Sequence, residues 1–297
     1  MSITHPGRLD CFHNPLADSQ LAYGAARQNI LSVARAKNAL STISSWPNYQ
    51  ATALQQLDTM AEAANIAKVY YKDESTRFGL KSFKALGGAY AVTRFLQQHL
   101  AQVNGVEPTM EELLSGQFKA QLKDVVVSCA TDGNHGRSVA WGAQMFGCQC
   151  IIYIHRDVSQ GRQAAMEAYA AQVIRITGNY DDSVKQAASD AKQYGRVIIS
   201  DTSYPGYTEI PANVALGYTV MLAEIVQQLQ ADVPTHVFVQ AGVGGLAAAV
   251  CGYFWDLWGQ QRPRFVIVEP EQANCLQESA KAGELRVVEG DLDTLMA

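Results

Sequence analysis

The sequence has no cluster of lysine or arginine. Its 23 basic residues are scattered and the formal net charge is −5. That leaves no electrostatic footprint for nucleic acid or an anionic membrane, so small molecules are the expected partners. The six cysteines, Cys11, Cys129, Cys148, Cys150, Cys251 and Cys275, fit neither a zinc-ligand spacing nor a paired disulfide framework. Reduced thiols in the cytoplasm are the simplest reading. The amino terminus, Met1 to Pro6, lacks the apolar run of a secretory signal, and no internal repeat or low-complexity tract is present. What is abundant is apolar: 48% of 297 residues, against 17% charged. Such a chain is not disordered, and its length suits about two domains.

One stretch, residues 237–255, carries no charge and is long enough to span a bilayer. Glycines at 242, 244 and 245 cluster where a strand would turn into a helix, so a buried strand, turn and helix is expected instead. From residue 69 onward, short apolar runs alternate with helical periodicity. Strands are expected at 69–71, 125–127, 150–154, 173–176, 197–199, 236–239 and 265–268. Helices are expected at 83–100, 134–146, 160–170, 181–194, 209–229, 244–258 and 271–281. This alternation predicts an α/β fold with mostly parallel sheets covered on both faces. The first 65 residues read as helical and alanine-rich, with a break at residues 44–48. Residues 104–116 read as a surface connection, and Glu289 to Ala297 closes no obvious element.

Four segments can carry chemistry. Lys84 starts a helix after Ser82-Phe83. A lysine amine can form a Schiff base with a carbonyl cofactor, though most such lysines are simply solvated. Ser128-Cys129-Ala130-Thr131-Asp132-Gly133-Asn134-His135-Gly136 follows a strand. It suits close approach of a ligand, with Asn134 able to bond a ring substituent and Asp132 able to accept a proton. It equally suits a turn and helix cap. Asp201-Thr202-Ser203-Tyr204-Pro205-Gly206-Tyr207 offers Asp201 as a second acid or an amine-binding group, or forms only a turn. The turn Gly242-Val243-Gly244-Gly245 opens a helix and suits a phosphate. It also fits a dinucleotide fingerprint that runs to Ala247, with Glu269 ending the next strand, or a tight turn with no ligand. His135 and His155 have no partner set that suggests a metal.

In combination these segments are more specific. Residues 72–88, Lys72-Asp73-Glu74-Ser75-Thr76-Arg77-Phe78-Gly79-Leu80-Lys81-Ser82-Phe83-Lys84-Ala85-Leu86-Gly87-Gly88, resemble the lysine segment of fold-type II pyridoxal-phosphate (PLP) enzymes, and most of all the diaminopropionate ammonia-lyase family. The Asp132–Asn134, Asp201 and glycine segments resemble that family's other loops, in family order from about Trp46 to the end. The resemblance implies two three-layer αβα domains with an incomplete large domain. Residues 1–88 and 206–297 would belong to the large PLP domain and residues 89–205 to the small one. It implies Lys84 as the cofactor lysine, Asn134 on the cofactor's phenolic oxygen, and Gly242, Val243, Gly244 and Gly245 on its phosphate. Lys84 or Asp132 would take the α-proton, according to the handedness of the substrate. Asp201 would help to place the distal amine, and Ser128, Thr131 and Tyr207 would contact substrate. The expected reaction turns D- or L-2,3-diaminopropionate into pyruvate and ammonia in a cytoplasmic homodimer. A serine/threonine dehydratase of the same fold and an inactive remnant are the alternatives. Two departures stand out. Gln50-Ala51-Thr52-Ala53-Leu54 replaces the family's Pro-Thr-Pro-Leu-type segment. Relatives also continue beyond the position of Ala297, into a region that supplies the partner of the pyridine nitrogen.

Overall fold

The computed structural model describes residues 9–288; the expectation for residues 289–297 lies outside the described residues. In chain order, α1 (Ala25–Gln28) and α2 (Val33–Ser44) precede β1 (Leu54–Gln56), α3 (Asp58–Ala64) and β2 (Tyr70–Lys72). Then follow α4 (Lys84–Asn104), α5 (Met110–Ser115), α6 (Lys119–Leu122), β3 (Val126–Ala130), α7 (Asn134–Phe146), β4 (Gln149–Ile154), α8 (Gln160–Glu167), β5 (Gln172–Arg175), α9 (Tyr180–Tyr194) and β6 (Val197–Ile198). The last elements are α10 (Glu209–Leu229), β7 (His236–Gln240), α11 (Gly245–Trp258), β8 (Arg264–Val268) and α12 (Cys275–Ala282).

Strands β5-β4-β3-β6 form one parallel sheet. Strands β7 and β8 pair in parallel, and β1 pairs with β2 antiparallel. The predicted strand–helix alternation is therefore present, and β7, turn and α11 replace any membrane reading of residues 237–255. Among the described residues, α10 alone is long and apolar enough to cross a membrane, and 67% of its apolar window is buried inside the protein.

Three expectations change. Residues 9–24 form no helix, and Leu54–Gln56 forms a strand within the supposedly helical amino-terminal region. Its residues carry no β pattern of their own; they are held by pairing with Tyr70–Lys72. The connection at 104–116 contains α5, started by a capping box in which Thr109 and Glu112 satisfy each other's backbone N–H groups. The final helix begins at Cys275 rather than 271, after a single 3-10 turn.

The helix α4 organises the rest. Twelve of its residues are buried, including all of 85–93, and it ends where Gly105 adopts φ 78°. It crosses the expected boundary at 88 without a break, packed between α7 and α10. One contiguous core joins side chains from both sheets' helices through α4: Leu86, Leu96 and Leu100 meet Val139 and Phe146 of α7, and Val214 and Leu222 of α10. Glycines make the crossing close. A Cβ on Gly217 would lie 2.5 Å from the Leu86 carbonyl oxygen and 2.8 Å from the Gly87 Cα. Backbone cannot move aside cheaply. Gly217→Ala is therefore expected to part α4 from α10 and to cost about 1–3 kcal/mol, read as a lower urea midpoint at constant slope. An unchanged midpoint would show the crossing to be loose.

The approach to Lys84 is anchored by buried charge. Arg77 is 1% exposed. Its guanidinium bonds both oxygens of Glu74 (2.8 and 2.7 Å) and both of Glu224 on α10 (2.8 and 2.7 Å). Lys72 adds 2.8 Å to Glu224, so two cations face two carboxylates. The divergent segment at 50–54 joins them: Gln50 O accepts from Arg77 at 3.1 Å, and Thr52 Oγ1 donates to Glu74 at 2.5 Å. Beyond this anchor the chain passes through Phe78 (φ 50°), Gly79 (φ 72°) and Lys81 (φ 56°). Left-handed backbone at two non-glycine residues costs roughly 1–2 kcal/mol each. The network fixes one end of that turn and α4 fixes the other.

Candidate active site

Three loops follow the carboxyl ends of parallel strands, where open α/β sheets place ligands. They are residues 131–133 after β3, 199–208 after β6, and 241–244 after β7. Lys84 enters from the first turn of α4. Its Nζ donates to Asp201 Oδ2 at 2.5 Å, joining positions 117 residues apart. The lysine side chain is 30% exposed and Asp201 13%, so the amine is sheltered but reachable. Burial opposes charge on the amine, but Tyr218 and Asp201 outweigh it and raise Lys84 above the ordinary lysine value. Burial likewise opposes charge on Asp201, yet His135 when protonated, and Lys84 through its charge and hydrogen bond, hold the carboxyl well below the usual carboxylate range; burial lowers His135, so at neutral pH the lysine carries this effect.

The start of α4 is tied to α7 by a hydroxyl. Ser138 Oγ donates to Ala85 O (3.2 Å) and accepts from Ala89 N (3.0 Å). This bridge sits one residue from Lys84 and fixes the helix from which it projects.

The β3 loop is a compact turn. Thr131, buried, accepts from Gly133 N at 3.1 Å and Gly136 N at 3.2 Å, so its hydroxyl oxygen organises the entry to α7. Asp132 Oδ1 stands 2.8 Å from His155 Nε2, an ion-pair distance without hydrogen-bond alignment. Asn134 opens α7, exposed, with only a 3.4 Å contact from Arg137 on its carbonyl oxygen. Ser128 is fully buried in β3 and its Oγ has no partner among the described residues. In the β6 loop, Tyr207 accepts from Ser200 N at 2.9 Å and donates to Ile198 O at 2.8 Å, and its ring stacks on Tyr204. Its hydroxyl braces the turn that carries Asp201.

The glycine turn meets the same place. The Cβ position of Gly245 is 3.5 Å from Asp201 O, and that of Gly242 faces open space. Gly244 caps α11 with φ 90° and supplies no side-chain bond, leaving the N–H groups of the first turn for a ligand. Glu269 accepts from Leu276 N and Gln277 N, both at 2.9 Å, so the acid that a dinucleotide would use on its ribose instead caps α12.

Three residues at this site were not singled out from the sequence. His135 is buried, with Nε2 2.8 Å from Ile199 O and Nδ1 3.9 Å from Asp201 Oδ2. Tyr218 of α10 is 1% exposed with an unpartnered hydroxyl, its ring edge-on to Phe83 at 5.1 Å. Tyr180 starts α9; burial raises its phenol, and Asp201 and Asp132 push it the same way, so both carboxylates act on one phenol. The adjacency of His135 to Asn134 was visible in the sequence. Tyr218 reads there as ordinary helix core, and nothing marks it.

A reachable lysine amine beside an uncapped helix end suits a cofactor with an aldehyde at one end and a phosphate at the other. The residues fit such a group: the amine, the open face at Gly242 and the free N–H groups of α11 lie round one loop cluster. The parallel sheets that present them have the architecture of fold-type II PLP enzymes. The chain belongs to the pyridoxal-phosphate dependent enzyme family, whose sequence model matches residues 46–297.

Two relatives are diaminopropionate ammonia-lyases. That of Salmonella typhimurium is 38% identical over 257 residues, covering 84% of this chain and 63% of the relative. That of Escherichia coli is 37% identical over 286 residues, covering 95% and 70%. The crystal structure of the holo Escherichia coli enzyme superposes with TM-score 0.80 at 36% identity, over 89% of this chain and 67% of that one. The chain thus spans about two thirds of the length of the relatives it matches.

Proposed function

We propose that this protein, or the enzyme of which it forms part, eliminates ammonia from 2,3-diaminopropionate to give pyruvate and a second ammonia. The observation that carries this reading is the buried Lys84–Asp201 pair with a second carboxylate, Asp132, acting on the same neighbourhood. The likeness to diaminopropionate ammonia-lyases supports the choice of substrate.

Pyridoxal phosphate, when bound, supplies an electron sink for the α-carbon. Lys84 would hold it, Asn134 would bond its phenolic oxygen, and the N–H groups of residues 242–245 would take its phosphate. Asp201 keeps a negative charge where a cationic amine must sit. Lys84 and Asp132 are the two bases for the α-proton of opposite isomers. Thr131 and Tyr207 belong to the substrate loops and act there by shaping the turns rather than by free hydroxyls; Ser128, buried in β3, would reach substrate only through its Oγ. The division of the chain at 88 and 205, a cytoplasmic location and a homodimer belong to the same proposal.

The test is pyruvate release from D- and L-diaminopropionate beside D-serine, L-serine and L-threonine. Diaminopropionate turns over fastest on this reading, and a preference for threonine or serine would refute it. Asp132→Asn is expected to slow the D-isomer by about 10²–10⁴-fold and the L-isomer far less. Equal losses would remove the two-base assignment.

A further inference from the structure

We propose that His135 Nδ1 and Asp201 Oδ2 together form a receptor for a protonated primary amine, the second amino group of a diamino-acid substrate. This rests on the reading above that Asp201 faces the substrate. It adds a residue to that site and a reason for choosing an amine over a hydroxyl.

The geometry fixes the state of the ring. His135 Nε2 lies 2.8 Å from Ile199 O, and a carbonyl oxygen only accepts, so the proton of a neutral imidazole is on Nε2. Nδ1 then carries a lone pair. It is buried, has no hydrogen-bond partner among the described residues, and stands 3.9 Å from Asp201 Oδ2. The ring cannot swing away without losing Ile199 O. That carbonyl is itself fixed, because Ile199 N donates to Ser128 O at 2.8 Å at the end of β6. Burial also favours the uncharged ring: it lowers His135 against the opposing pull of Asp201, and Lys84 adds to the lowering.

Nδ1 is therefore an acceptor left without a donor, 3.9 Å from a carboxylate oxygen served by Lys84 Nζ, an arrangement that costs free energy at Nδ1 until a donor arrives. A nitrogen about 2.8 Å from each of two atoms 3.9 Å apart sees them at an angle of roughly 90°, within the spread of two N–H bonds of one ammonium. A hydroxyl has one hydrogen and satisfies only one of the two. In the ligand-free chain the Lys84 ammonium serves Asp201 alone. Once Lys84 withdraws to hold the cofactor, a substrate ammonium takes over Asp201 and reaches Nδ1 as well. The other ionisable groups around the pair are Lys84, Tyr180, Tyr207, Tyr218 and Cys129. Burial raises the three phenols and the thiol, so none of these four competes as an anion.

The experiment needs neither cofactor nor turnover. In the full chain carrying Lys84→Ala, which clears the native ammonium, methylammonium is titrated while the histidine nitrogens are followed by 15N NMR. Tetramethylammonium, equal in charge but without N–H, is the control. Nδ1 of His135 is expected to start at the resonance of an unprotonated ring nitrogen and to move saturably with methylammonium alone. By calorimetry, adding His135→Phe weakens methylammonium about tenfold; phenylalanine keeps a planar ring but has no acceptor in place of Nδ1. Adding Asp201→Asn weakens it further. A proton on Nδ1 in the ligand-free chain, no response to methylammonium, or equal affinity after His135→Phe overturns the proposal. Should the phenylalanine variant not fold, the 15N titration decides alone. Failure to release pyruvate from diaminopropionate would refute the substrate reading and leave the amine receptor standing on its own measurement.

Discussion

Lys84→Ala is expected to abolish covalent capture of pyridoxal phosphate. After incubation with the cofactor, borohydride reduction and digestion, the parent chain should carry the label on the peptide containing Lys84 and the variant none. Turnover falls on the order of 10³-fold or more, since the variant loses both the attachment point and a proposed base. Label on any other lysine would move the site. The variant still offers the α11 N-terminus and Asn134, so loose cofactor binding persists and separates attachment from recognition.

The same variant changes stability in a pH window that can be worked out. Asp201 has a depressed folded-state value, so its share of the pair's stabilisation exists above the unfolded carboxylate value of 3.8 and fades as pH falls through the folded value. Lys84 has a raised folded-state value, so its share exists below the unfolded lysine value of 10.5 and fades as pH rises through the folded value. At neutral pH both shares are present, and removing the lysine leaves Asp201 buried without its cation. The variant is expected to lose about 1–3 kcal/mol there and to converge with the parent in strong acid. Parallel melting curves at pH 7 and at successive pH values below 3.8 check this, the gap between variant and parent narrowing as the pH falls.

The second large effect belongs to Arg77. Arg77→Met leaves Glu74 and Glu224 buried with Lys72 as their only cation in the network, and an uncompensated buried charge costs about 3–5 kcal/mol. Urea unfolding reads the loss. Arg77→Lys keeps the charge but cannot fork across two carboxylates, so it recovers only part. An Arg77→Met midpoint indistinguishable from the parent would refute the anchoring role. Because the left-handed turn at Phe78, Gly79 and Lys81 depends on that anchor, slower capture of the cofactor at Lys84 should accompany the destabilisation.

Much of this was legible in the sequence, for identifiable reasons. Helices α7 and α10 begin and end where their periodicity and flanking residues placed them, at Asn134–Phe146 and Glu209–Leu229. Short elements were harder. Strand β1 exists only because β2 lies beside it, and α5 depends on a two-residue capping box within an otherwise unpatterned stretch. At the candidate site, local motifs singled out Lys84, Asp132, Asn134, Asp201 and the glycine turn as candidates. Their partners are tertiary and left no local trace: the bond from Lys84 to Asp201, His135 facing the same carboxylate, His155 beside Asp132, and the Tyr218 ring near Phe83. Thr131 and Tyr207 show the converse. A polar residue in a site loop can spend its hydroxyl on holding that loop.

The position of α4 has a consequence for how the molecule comes apart. A helix that lends opposite sides to a single core is expected to tie the β3–β4 sheet and the β7–β8 sheet into one cooperative unit. The amides of residues 85–93 should then exchange with solvent only when that whole unit opens. The lysine proposed to hold the cofactor thus projects from a deeply buried helix start, and openings that admit small molecules are expected in the loops around it.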